Sequence, residues 1–138
     1  MDFAGVNYWA VVLAAAVSFL FGGVYYSVLG LKWLAALGKT KEQLEQQGGY
    51  ATTMALTFVA QLLMAFVLAG LIGHLGTGQV TISNGLISAL FVWVGFVATI
   101  MAVDNAFQNR KFALTLIDGL HWLGVLLIQG LIIGVMGI

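Results

Sequence analysis

Four long apolar runs separated by short polar breaks make up most of the chain. They lie near residues 5–30, 51–75, 83–108 and 112–137. Each meets the roughly 20 residues that a helix needs to cross a hydrocarbon core of about 30 Å. Strict alternation of apolar and polar residues is absent, and an unpaired strand would leave its backbone groups unsatisfied in lipid. The pattern therefore predicts an all-α integral membrane protein, a four-transmembrane-helix bundle that forms a single domain over residues 1–138.

The breaks are unequal. The first, LKWLAALGKTKEQLEQQGGY, is the only long polar piece. Thr40 and Gln43 have the spacing of a capping box, and Gly48 is a suitable stop, so a short amphipathic helix is expected near 41–47. The second break, HLGTGQVTIS, carries no Lys or Arg. The third, QNRKF, is a tight basic turn. All five basic residues, Lys32, Lys39, Lys41, Arg110 and Lys111, fall in the first and third breaks. Positive loops stay inside. Those breaks, with the short helix, are expected on the cytoplasmic side, and the N- and C-termini outside. Tyr8, Trp9 and Trp33 sit at span ends, where aromatic belts belong.

Composition narrows the setting. Hydrophobic residues make up 62% of the chain and charged residues 7%. A soluble domain carries about 25% charged residues, so the lipid bilayer must be the solvent. No cysteine is present, which excludes disulfides and thiolate metal sites. No proline is present to kink a span. Eighteen glycines suit close helix packing. The formal net charge is zero, so no nucleic acid partner is expected. The opening MDFAGVNYW lacks a basic signal-peptide region, so the first apolar segment is expected to be retained.

With that orientation, the polar residues collect in the cytoplasmic half. Tyr25 and Tyr26 lie near the inner end of the first helix, and Asp104 and Asn105 in the inner third of the third helix. Along the fourth helix, at 1.5 Å per residue, Asp118 stands about 10 Å from Lys111 and His121 about 15 Å. Asp118, His121, Trp122, Val125 and Gln129 share one helical face, as do Trp93, Val97, Ile100 and Asp104 in the third helix. These faces predict a polar cup open to the cytoplasm, with Asp118, His121, Asp104, Asn105, Tyr25 and Tyr26 as its candidate residues. A carboxylate at mid-depth costs about 2.5–3.5 kcal/mol on the insertion scale, so one kept there has a partner or a task. For Asp104 the partner is expected in Arg110 or Lys111. For Asp118 the structural reading is a hydrogen bond to His121 that locks the third helix to the fourth. The functional reading is proton transfer by the pair. Gln61 and Gln129 read as interhelical hydrogen bonds, and Trp93 and Trp122 as large fillers whose N–H needs an acceptor.

Small residues recur at close-packing spacing. Ala14, Ser18 and Gly22 form one such run in the first helix, and Gly130 and Gly134 another in the fourth. These faces exceed what one bundle needs, so a homo-oligomer is expected. No HExxH, GxSxG or phosphate-binding loop occurs, and no serine stands beside Asp118 and His121, so no enzymatic activity is expected. One histidine and two aspartates offer too few metal ligands, and a single axial histidine is little for haem, so no metal or cofactor is expected.

Three stretches carry a family resemblance: GGVYYSVLGLKWLAALGKTKEQL, GFVATIMAVDNAF with its basic turn, and LTLIDGLHWLGVLLIQGLIIG. Together they resemble a family of small bacterial four-span membrane proteins catalogued as domain of unknown function 1761. The carrying motifs are Asn7-Tyr8-Trp9, the segment Gly22 to Ser27, and Asp118-Gly119-Leu120-His121. The chain departs from the pattern in having no proline after Tyr26-Ser27. The resemblance implies four helices and a bacterial inner membrane, and no settled activity. Three function classes stay open. The first is transport or permeation of protons or a small solute through the cup. The second is a structural or accessory subunit of a larger membrane complex. The third is a lipid-binding membrane protein.

Overall fold

The computed structural model describes residues 5–137. The first four residues of the opening MDFAGVNYW, which the sequence places in a retained segment, lie outside the described residues.

The first helix, α1 (Tyr8–Leu37), is capped by the Asn7 side chain accepting from the Ala10 N–H. It runs seven residues past the apolar break at Gly30, because LKWLAAL contains only helix-compatible residues. It stops at Gly38, whose φ of 76° is left-handed and whose N–H returns to Leu34 and Ala35. Thirty residues span about 45 Å, more than the roughly 30 Å of a hydrocarbon core, so α1 projects beyond the lipid or tilts. The short α2 (Lys41–Gln47) follows with the expected capping box: Gln43 N–H donates to Thr40 Oγ1, and Thr40 N–H to Gln43 Oε1.

Next come α3 (Tyr50–Gly73), α4 (Ile82–Phe107) and α5 (Phe112–Met136). With α1 they make four helices long and apolar enough to cross a membrane. No strand occurs among the described residues. The arrangement is an all-α bundle in which α5 packs closely on α1 and α4, α1 packs on α3, and α3 has smaller contacts with α5 and α4.

One feature of α4 has no signature in the sequence. Residues Trp93–Ala98 form a π-helical turn. Each i→i+5 bond takes up one extra residue, so the inward face slips by one position. Trp93 and Val97 face the bundle as the 3.6-residue period predicts. Beyond the turn, Ile100 and Asp104 are exposed, and Met101 and Asn105 take the inner positions.

The two halves of the bundle differ in packing. Towards the second loop, Val11, Ala14, Ala65, Leu68, Ala69, Ala89, Leu126 and Ile133 form a dry core. Here α4 and α5 meet backbone to backbone: a Cβ on Gly85 would overlap the Gly130 carbonyl, and one on Gly134 would stand 2.5 Å from the Thr81 carbonyl oxygen. At its edge, Ser18, Gln61 and Gln129 join α1, α3 and α5. Ser18 Oγ donates to Gln61 Oε1 (2.9 Å), and Gln129 Nε2 donates to Ser18 Oγ (3.2 Å) and the Gln61 carbonyl (3.1 Å). All three side chains are buried, as the interhelical reading of the glutamines anticipates. Ala14, Ser18, Gly22 and Gly130 are likewise buried within one chain. These small residues are thus used for contacts inside the bundle.

Candidate functional site

The polar chemistry of the half nearest the basic turn is built between α1 and α5. These helices run antiparallel, and their register is set where α1 has no side chain. Gly22 faces His121, and a Cβ on Gly22 would stand 2.8 Å from His121 Nε2. One turn further in, the Tyr25 hydroxyl donates to the Ile117 carbonyl at 2.5 Å, and the Tyr26 hydroxyl to Asp118 Oδ1 at 2.6 Å. The latter distance is that of a charge-assisted O–H···O⁻ bond. Trp33, two turns beyond Tyr26 on the same face, packs edge-on against the Tyr26 ring at 5.8 Å between centroids and lies beside the Asp118 carboxylate, and Arg110 lies within electrostatic range of it. Asp118 is half-buried. It sits about 9 Å along α5 from Phe112, so its carboxylate is inside the span yet near the basic turn.

His121 is sealed, with 4% of its surface exposed. Phe21 stacks on it at 6.1 Å between ring centroids and 3° between planes. Tyr26 stands at 4.9 Å, Tyr25 at 5.5 Å and Trp122 at 4.7 Å. His121 Nδ1 is buried with no hydrogen-bond partner. A buried polar atom without a partner costs free energy comparable to a lost hydrogen bond, and Gln129 Oε1 shares this condition.

The structure thus brings Tyr25, Tyr26, Asp118 and His121 together. It keeps Asp104 and Asn105 out of that group. Asp104 is exposed on α4 beyond the π turn, and Asn105 Nδ2 donates to Thr115 Oγ1 at 2.9 Å. The expected ion pair of Asp104 with the basic turn also gives way to other bonds: Arg110 Nε donates to Gln108, and Lys111 Nζ reaches the Ala35 carbonyl at 3.5 Å. Asp118 does not hydrogen-bond His121. Its partner, Tyr26, is on α1, so the lock joins the first and last spans rather than the third and fourth. Trp33 and Phe21 are the members that sequence reasoning missed. Trp33 is placed there because α1 continues past Gly30 and carries it to i+7 of Tyr26. Trp93 does find its acceptor, the Gly119 carbonyl at 2.8 Å. Among the described residues no three His, Cys, Asp or Glu side chains come together.

A family model described as a protein of unknown function, DUF1761, matches residues 9–134. The chain belongs to the DUF1761 family. The match runs from the first turn of α1 to the last turns of α5, so the whole Tyr26–Asp118–His121 cluster of this DUF1761 protein lies within it. No curated protein and no solved structure matches the chain.

Proposed function

We propose that this DUF1761 protein passes protons, alone or with a small solute, across the bacterial inner membrane. Asp118 takes up the proton, and Tyr25, Tyr26, Trp33 and His121 form its surroundings. One observation carries the reading. A carboxylate stands inside a span, held at 2.6 Å by the Tyr26 hydroxyl, and a turn away a sealed imidazole keeps a nitrogen without a partner. Ionisable groups at such depth mark ion and proton pathways.

All five Lys and Arg residues lie on the side of this cluster. The positive-inside rule makes that side the cytoplasm, so the site faces inward. The opposite half is closed by the Ser18–Gln61–Gln129 bonds and by the Gly85–Gly130 approach. That asymmetry suits the resting, inward-facing state of a carrier. In this reading, Tyr25 and Tyr26 hold α1 against α5 until Asp118 is protonated, which converts a charge-assisted bond into a neutral and weaker one.

The test is proton flux into liposomes that contain the purified protein and an internal pH dye. Under an imposed pH gradient the wild type is expected to exceed empty liposomes, Asp118→Asn to abolish the excess and His121→Ala to reduce it. Wild-type flux equal to that of empty liposomes, or undiminished flux in Asp118→Asn, overturns the proposal. A protein that then copurifies in fixed proportion would shift the reading to an accessory subunit.

A further inference from the structure

Two apolar grooves open sideways on the bundle. The first, about 250 Å³ between α3 and α4, is walled by residues such as Leu63, Val67 and Val97, and has no charged side chain on its wall. The second, about 190 Å³ between the C-terminal half of α4 and the start of α5, likewise has no charged side chain on its wall and differs in its position. Trp93, Met101, Ala102, Phe112, Thr115 and Leu116 are among its walls. It begins directly below the basic turn, since Phe112 follows Arg110 and Lys111 in the chain. From Phe112 to Leu120 it runs about 12 Å along α5, close to the roughly 15 Å of one hydrocarbon leaflet. Its polar wall residue, Thr115, stands towards the turn and already accepts from Asn105.

We propose that this groove holds one acyl chain of an anionic phospholipid, whose phosphate sits at the Arg110–Lys111 turn. The apolar walls and the lateral opening select a chain already in the bilayer. The cations at the leaflet boundary select the headgroup, as basic recesses between membrane helices do. Both cations are exposed. Arg110 is shared with Asp118 and Gln108, and the Lys111 ammonium has one long contact, to a neutral carbonyl, which leaves donors for a phosphate. The acid on this rim is Asp104, exposed on α4. Asp118 draws on Arg110, so Lys111, which has no carboxylate at ion-pair distance among the described residues, is the one cation left for a phosphate. One such charge near the surface gives an anionic lipid about a fivefold advantage over a zwitterion with the same chains. This site lies on another face of α5 from Tyr26 and Asp118, and it stands whether or not the protein moves protons.

The experiment is native mass spectrometry of the purified full chain, released from mild detergent after equilibration with dioleoyl phosphatidylglycerol and dioleoyl phosphatidylcholine. Wild type is expected to retain phosphatidylglycerol about fivefold over phosphatidylcholine. Arg110→Gln with Lys111→Gln brings the ratio to one, and Lys39→Gln with Lys41→Gln leaves it unchanged. Ala102→Phe, on the groove wall, lowers retention of both lipids. Val103→Phe, its exposed neighbour outside the groove, does not. Equal retention by wild type overturns the proposal. So does a preference that survives loss of Arg110 and Lys111, one that disappears with Lys39 and Lys41, or identical behaviour of the two Phe variants.

Discussion

Removing the Tyr26 hydroxyl isolates the bond on which the Asp118 site is built. Tyr26→Phe keeps the ring, and with it the contacts to His121 at 4.9 Å, Tyr25 at 5.2 Å and Trp33 at 5.8 Å. Only the 2.6 Å bond to Asp118 is lost. Hydrogen bonds to charged groups contribute about 1.5–3 kcal/mol in soluble proteins. Interhelical bonds in membranes average about 0.6 kcal/mol and reach about 1.7. The Tyr26–Asp118 bond is short and charge-assisted but half-exposed, so a coupling near the upper membrane value, about 1.5 kcal/mol, is expected. The assay is equilibrium unfolding in mixed micelles of mild detergent and dodecyl sulfate, for wild type, Tyr26→Phe, Asp118→Leu and the double variant. Leucine is chosen because asparagine would still accept the bond. The same cycle on Asp118→Leu and His121→Phe should give less than about 0.5 kcal/mol, since no hydrogen bond joins that pair. A Tyr26–Asp118 coupling within about 0.3 kcal/mol of zero, or a larger one for Asp118–His121, refutes the geometry.

Three further outcomes follow from the packing. Gly85→Ala drives a methyl into the Gly130 carbonyl and should cost about 1–3 kcal/mol in the same unfolding assay, whereas Gly95→Ala, with nothing within 4 Å, should be neutral or slightly stabilising. Gly22→Ala should displace the His121 ring and destabilise by about 1–3 kcal/mol, and a His121→Ala background should remove most of that cost. Gln61→Leu and Gln129→Leu should each cost about 1–2 kcal/mol by stranding a buried partner, with the double variant costing less than the sum.

The sequence made the spans legible because a hydrocarbon core asks only for length and apolarity, and a capping box is local enough to read at Thr40 and Gln43. It also pointed to Asp118 and His121, since ionisable groups in an apolar run stand out without any neighbour being known. What it could not supply was register between helices. The partner of Asp118 depends on Gly22 letting α1 settle against His121, a contact between residues about a hundred positions apart. Spacing along α5 alone suggested the i+3 histidine, and the structure gives the carboxylate to Tyr26 instead. The π turn at Trp93–Ala98 has the same character. No proline or charge announces it, yet it moves the inward face by one residue and puts Asp104 outside. The α1 overrun had a local cause that could have been read, because LKWLAAL contains no residue able to end a helix before Gly38.

Proton uptake by Asp118 requires that it be reachable from the side of the basic linkers while the opposite half stays shut. The chain has no cysteine, so single cysteines can be labelled without background. The decisive measurement is labelling of Asp118→Cys and Gln129→Cys by a membrane-impermeant maleimide in right-side-out and inverted vesicles. The account predicts labelling at position 118 in inverted vesicles alone, and at position 129 in neither. Labelling at 118 from the outer face, or at 129 from either face, would contradict it.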